Sequence, residues 1–340
     1  MDNKRILYLD IINVISCFSV VALHCDGYVH QYNHAETYWW LRALVNVLFY
    51  NAVPLFFMLS GATLIGYHKR YDTKTFFKKR IKRTVVPFLF WSICFSLLYV
   101  ITRYGKDNGM DILKVIVGGF ITGNVPFTTY WFFIPLFLLY AFMPFLSVMV
   151  GHLSDKQQLY LIGLLFFLQS CIAPLIQSTN NLSWTWVPIH SLPICGYVLY
   201  ALLGYYLSHN SVEKDDRILC GTIVLSLILL AVRYVFVFNA TSHSPNIFNY
   251  MAAYAVVPSV AIFLIVKRLS LRLRGGVLLC MLSKCSFGVF LIQMFAITIM
   301  FRFIEQSSLW ALILIPVVYL ACVTFTYIVK QSSMTRWMMP

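Results

Sequence analysis

The sequence predicts an all-α, polytopic membrane protein, a bundle of about ten transmembrane helices. Three observations carry that prediction. Hydrophobic residues make up 60% of the 340 and charged residues 11%, against about 45–50% apolar in an average soluble domain. The apolar residues fall in runs close to the roughly 20 residues that a helix needs to cross a bilayer. The basic residues gather in short connections between those runs, which is the asymmetry that membrane topology imposes. The net charge of +14 is therefore read as a topology signal rather than a nucleic-acid face, and the mean hydropathy of +0.77 agrees.

The predicted spans are 6–25, 39–66, 84–103, 131–150, 157–177, 190–208, 217–238, 249–266, 286–303 and 309–329. The first is retained rather than cleaved: Lys4 and Arg5 resemble a signal-peptide n-region, but Asp10 interrupts the apolar run and "LHCDGYVH" offers no small-x-small site. Within 39–66, Pro54 predicts a kink and Gly61 a close backbone approach. The segment 110–129 is apolar but broken by Gly118, Gly119, Gly123 and Pro126, and reads as an interfacial or re-entrant piece. With the N-terminus inside, only Arg42, Arg103, Lys106, Lys114, Arg233 and Arg302 among the 26 basic residues fall outside. An even number of spans with both termini cytoplasmic follows. The connections leave no room for a soluble domain, so 1–340 reads as one transmembrane unit in the plasma membrane.

Nine cysteines lie mostly inside apolar runs with no CxxC pair, so neither a disulfide framework nor a metal site is expected. Cys25 is placed near the outer surface, as a labelling target. No Walker A, GxSxG, HExxH or GxGxxG motif occurs.

The first span carries the most informative polar residues. Asp10 and His24 are fourteen residues apart, about 1400° of helical rotation, so they share a face to within roughly 40°. Asn13 lies on the same stripe. At about 1.5 Å per residue the acid and the imidazole are roughly 21 Å apart and cannot form a dyad. Ionisable residues at membrane depth are functional candidates, although an interfacial histidine and an acid paired with a nearby cation are the plainer readings.

A second constellation is "TKTFFKKRIKRTVVPFLFW" at 73–91. Arg80 and Arg83 project from adjacent turns, and paired guanidinium forks suit phosphate. Topology also demands basic residues there, and spacing leaves both readings open. Phe76 and Phe77 are expected in the membrane interface. Ser60 in the second span and Gln293 in the ninth are candidate polar-core residues, Gln293 needing a hydrogen-bond partner between helices. Tyr28, Tyr32, Tyr38, Trp39, Trp40, Trp184 and Trp186 lie in outer segments. They form an aromatic belt or a sugar-stacking surface.

The stretches "LDIINVISCFSVVALH" (9–24), "VPLFFMLSG" (53–61), "FFKKRIKRTVVPFLFW" (76–91), "YWFFIPLFLLYAFMP" (130–144) and "SFGVFLIQ" (286–293) resemble the acyltransferase family 3 membrane enzymes. These O-acylate surface glycans and related molecules. The resemblance implies an O-acyltransferase with acyl-CoA, acetyl-CoA first, as donor and no metal. It implies a glycan or lipid-linked saccharide as acceptor. His24 matches the family's transfer histidine, and Arg80 and Arg83 match a pair linked to acyl-CoA. Asp10 and Asn13 would shape the donor channel. Asn13 stands where the family usually has an arginine, and Gln293 where it often has a late histidine; an amide does not take and return a proton at neutral pH. The rival reading is a transporter or flippase for a polar or lipid-linked substrate, against which the lack of an evident inverted repeat counts.

Overall fold

The computed structural model describes residues 6–26, 34–104, 128–172, 193–241, 248–301 and 308–340. The described residues are mostly helical, with no strand among them. In chain order the α-helices are α1 (Leu7–Cys25), α2 (Trp39–Phe49), α3 (Ala52–Leu64), α4 (Thr73–Arg80), α5 (Val86–Tyr104), α6 (Phe133–His152), α7 (Asp155–Phe166), α8 (Pro193–His209), α9 (Asp216–Phe238), α10 (Ala253–Ser270), α11 (Val277–Met300) and α12 (Ser308–Gln331).

Eight helical stretches among the described residues are long and apolar enough to cross a membrane: Leu7–Cys25, Trp39–Lys69, Thr73–Leu98, Thr129–His152, Asp216–Phe238, Ala253–Ser270, Val277–Met300 and Leu312–Gln331. This is a multi-pass membrane protein. The expected spans 157–177 and 190–208 each run into residues outside the description, as does nearly all of 110–129.

The expected second span is one membrane crossing made of two helices. α2 ends at Phe49 and α3 begins at Ala52, with Pro54 in the first turn of α3, where its missing N–H costs least. Asn51 sits at the break, and its Oδ1 accepts from Ser259 of α10 at 3.3 Å.

α1 is the hub of the bundle, packed against α2, α3, α10, α11 and α12. Ile12, Cys17, Val20, Val21, Ala22 and Cys25 are all buried. Cys25 is wholly inaccessible, which corrects its expected role as a surface label: the helices around α1 cover its far end as well as its middle.

Helix α8 lies along α3, and glycine makes this possible on both sides. A Cβ on Gly61 would strike the backbone of Ala201, and one on Gly204 would strike the backbone of Met58. Small residues at such crossings let helices approach to van der Waals contact where lipid offers no hydrophobic driving force. Gly61→Ala is accordingly expected to lower the melting temperature of the detergent-solubilised protein, because the obstacle is backbone and overpacking of this kind costs about 1–3 kcal/mol or more.

One end of the bundle gathers the cations. The beginning of α1, the residues after α3, all of α4, and the ends of α10 and α12 meet there. Lys267 pairs with the buried Glu213 at 3.0 Å, and Arg268 pairs with Asp216 at 2.8 Å, which pins the connection between α8 and α9. Lys267 and Arg268, expected only as topology charges, are thus structural ion pairs. The first and last described helices both terminate at this end, since Asp10 and Lys330 line the same cavity.

A basic cavity and the histidine beyond it

A cavity of about 1170 Å³ opens at the basic end. Asp10 and Asn13 of α1, Ser60 of α3 and both Arg80 and Arg83 line it. Residues that the sequence placed in two separate constellations therefore share one chamber. Its wall is strongly cationic: Lys78, Lys79, Arg80, Lys82, Arg83, Lys284, Lys330 and Arg336 contribute, with Asp10 the sole acid among the described lining residues.

Local structure explains how two arginines reach the same space. Asp72 caps α4 by accepting from the Thr75 backbone N–H at 3.3 Å. At Ile81–Val85 the chain winds through a π-helical turn before α5 begins, the kind of bulge that often accompanies functional sites. Arg80 lies over the rings of Phe76 and Tyr140, at 6.0 and 5.8 Å. Its Nε is buried with no hydrogen-bond partner among the described residues. Arg83 is exposed. Phe76 does not enter the membrane interface as expected; it is fully buried, stacked on Tyr67 at 4.4 Å, and so anchors α4 to the bundle.

The polar stripe on α1 meets α11. Ser283 donates to Asp10 Oδ1 at 2.6 Å, while the Asn13 amide donates to the Ser283 hydroxyl at 3.0 Å and carbonyl at 2.9 Å. Ser60 donates back to the Phe56 carbonyl at 3.0 Å, leaving its oxygen free to accept from a ligand.

Sequence reasoning missed the C-terminal segment. Ser333, Arg336 and Trp337 line the cavity, because the chain after α12 folds back toward α5. The Trp91 indole donates to the Met338 carbonyl at 3.0 Å, Phe90 meets Trp337 edge-on at 5.1 Å, and Met339 is buried. Only the polar and basic composition of "QSSMTRW" hinted at this. Ser283 had no signal at all, being a small residue in an apolar run.

The chamber stops short of His24. Phe56, Phe132 and Phe290 line it and close on one another, with ring centroids 5.9, 6.2 and 5.1 Å apart. On α1 the last lining residue is Asn13, and His24 stands eleven residues further, about 16 Å along the axis. Gln293 likewise lies one turn past Phe290. It is fully buried, and neither of its amide atoms has a hydrogen-bond partner among the described residues. No interhelical hydrogen bond from it is seen among the described residues.

Two residues past His24, which is half-buried, Asp26 joins a charge cluster around Arg42, which the sequence marked only as an outer cation. Arg42 is buried, bound by Glu36 through Nε at 2.8 Å and Nη2 at 2.9 Å, and reaches Asp26 Oδ1 at 3.3 Å. Glu36 takes the better share of the guanidinium. Asp26 keeps one long contact, and its Oδ2 is buried without a hydrogen-bond partner among the described residues. Burial pushes its carboxyl up to about 8, with Arg42 opposing the shift and Glu36 adding to it. A raised folded-state value means that the native protein holds this proton longer than the unfolded chain, so stability falls as pH rises from about 4 to about 8. Asp26→Asn is expected to flatten that decline in a melting-temperature series over pH.

The expected sugar-stacking aromatics divide. Trp39 is buried and donates to the Phe238 carbonyl at 2.8 Å, so its ring serves packing, whereas Trp40 is exposed. Tyr28, Tyr32, Trp184 and Trp186 lie outside the described residues. Arg233, expected outside, is buried between helices, donating to Asn46 Oδ1 at 2.8 Å with its guanidinium 3.8 Å from the Tyr50 ring.

Comparison with known proteins adds one positive finding. A family model described as an acyltransferase domain matches residues 6–330. No curated protein matches the chain, and no solved structure does.

Proposed function

The chain belongs to this acyltransferase family, and on that premise we propose that it moves an acyl group, acetyl first among candidates, from cytosolic acyl-CoA to a hydroxyl of a glycan or lipid-linked saccharide across the plasma membrane. The observation that carries the reading is the single basic chamber shared by Arg80, Arg83, Asp10, Asn13 and Ser60. It lies on the α1 face that leads toward His24. The positive-inside asymmetry supports a cytoplasmic basic end. Acyl-CoA combines a multiply phosphorylated nucleotide with a long slender arm ending in a thioester. A wall with eight cations suits the phosphates, and a volume above the usual range of roughly 300–1,000 Å³ suits a ligand of that size.

In this reading Arg80 and Arg83 hold phosphate through guanidinium forks. The arm follows the polar side of α1 past Asn13. The phenylalanine cluster parts to admit it, and the thioester reaches the level of His24. Imidazole is the side chain whose ordinary titration lies nearest neutrality. His24 takes the proton of the acceptor hydroxyl as its oxygen attacks the thioester carbonyl carbon; the C–O bond forms, the C–S bond breaks, and the proton passes to the departing thiolate.

Equilibrium binding of labelled coenzyme A to the purified protein tests the donor assignment. Saturable binding, displaced by unlabelled acetyl-CoA, is expected. Failure to bind either compound would sink the assignment and return the transporter or flippase reading.

A further inference from the structure

Gln293 is a polar group in the apolar core for which the described residues supply no partner. It is fully buried on α11, and both its Oε1 and Nε2 are unpaired among the described residues. A buried amide without hydrogen bonds is destabilising. Native structures keep such groups rarely, and a catalytic role is one reason they do.

Helix register locates it. α1 and α11 run in the same direction from the basic end, and Cys17 Sγ donates to the Ser286 carbonyl at 3.4 Å. One heptad outward from Cys17 is His24, and one heptad outward from Ser286 is Gln293. Seven residues turn an α-helix to within about 20° of its starting face. The amide and the imidazole therefore stand level, each on the side of its helix that faces the other. The phenylalanine cluster that closes the chamber ends one turn below, at Phe290.

We propose that Gln293 is a catalytic residue of the transfer site, its Nε2–H donating to the carbonyl oxygen of the thioester while His24 takes the acceptor proton. As the acceptor oxygen bonds to the carbonyl carbon, that oxygen gains negative charge, and a fixed donor in a water-poor site stabilises it before the C–S bond breaks. The inference rests on the acyl-transfer reading above.

Gln293→Met tests it, since methionine keeps the length and removes the amide. Transfer of a labelled acetyl group from acetyl-CoA is measured in membranes, with coenzyme A binding and melting temperature followed in the purified protein. The expected result is a fall in kcat on the order of 100-fold with the donor KM and coenzyme A affinity unchanged. The melting temperature is expected to be unchanged or higher, because an unpaired buried amide has been removed. Unchanged kcat, or loss of coenzyme A binding together with transfer, would overturn the inference and leave Gln293 a packing residue. His24→Ala run beside it separates the two failures. If His24→Ala loses transfer and Gln293→Met does not, only this inference falls. If both keep the wild-type rate, the reaction assignment at this site falls with it.

Discussion

Replacing His24 by alanine is expected to lower acyl transfer by about 10²–10⁴-fold, the span that a positioned general base typically contributes. Coenzyme A binding is expected to survive, because the chamber proposed to hold the donor ends at Phe56, Phe132 and Phe290 and does not include His24. The combination is informative. A variant that had merely lost its fold would lose both, whereas loss of transfer with intact donor binding isolates the chemistry from the chamber. Single-turnover transfer of a labelled acetyl group, compared with equilibrium binding of labelled coenzyme A, is the check. Transfer at the wild-type rate would remove His24 from the mechanism.

The second large effect is expected at the opposite end of the same route. Arg80→Ala combined with Arg83→Ala should weaken donor binding by on the order of 100-fold, since a hydrogen bond to a charged group contributes about 1.5–3 kcal/mol and each 1.4 kcal/mol is tenfold. The double variant should still turn over once the donor is raised to saturation, so KM changes and kcat does not. The arginines differ in setting: Arg80 is half-buried against Phe76 and Tyr140, and Arg83 is exposed. Arg80→Lys is therefore expected to be nearly as damaging as Arg80→Ala, because an ammonium has neither the planar fork nor the stacking face. Unchanged donor affinity in the double variant would return both arginines to topology alone.

The part of this architecture legible in the sequence was the part written in local periodicity. The face shared by Asp10 and Asn13 follows from 3.6 residues per turn, and both do line one chamber. The pairing of Arg80 with Arg83 was visible for the same reason. Their common chamber was not, because it depends on α4, α1 and α11 meeting, and Ser283 lies 273 residues beyond the Asp10 it binds. Charge was legible but burial was not. Arg42 and Arg233 were read as outer cations, yet both are enclosed by neighbouring helices. Cys25 was misplaced because an apolar helix looks alike whether lipid or protein surrounds its end. Gly61 announced a close approach, while its counterpart Gly204 and the Ala201 backbone it meets were fixed only by tertiary packing. Gln293 stood out as a polar residue in an apolar run; that it has no partner among the described residues is a property of its surroundings.

In the proposed reaction the bundle passes an acyl group from a donor at its basic end to an acceptor at the other. Reconstituted vesicles of one orientation test it most directly, with labelled acetyl-CoA supplied only on the side of the basic chamber and a glycan acceptor enclosed on the far side. Label is predicted to appear in the enclosed acceptor and to be abolished by His24→Ala. Label confined to acceptors on the donor's own side, or transfer only when donor and acceptor share a compartment, would contradict it.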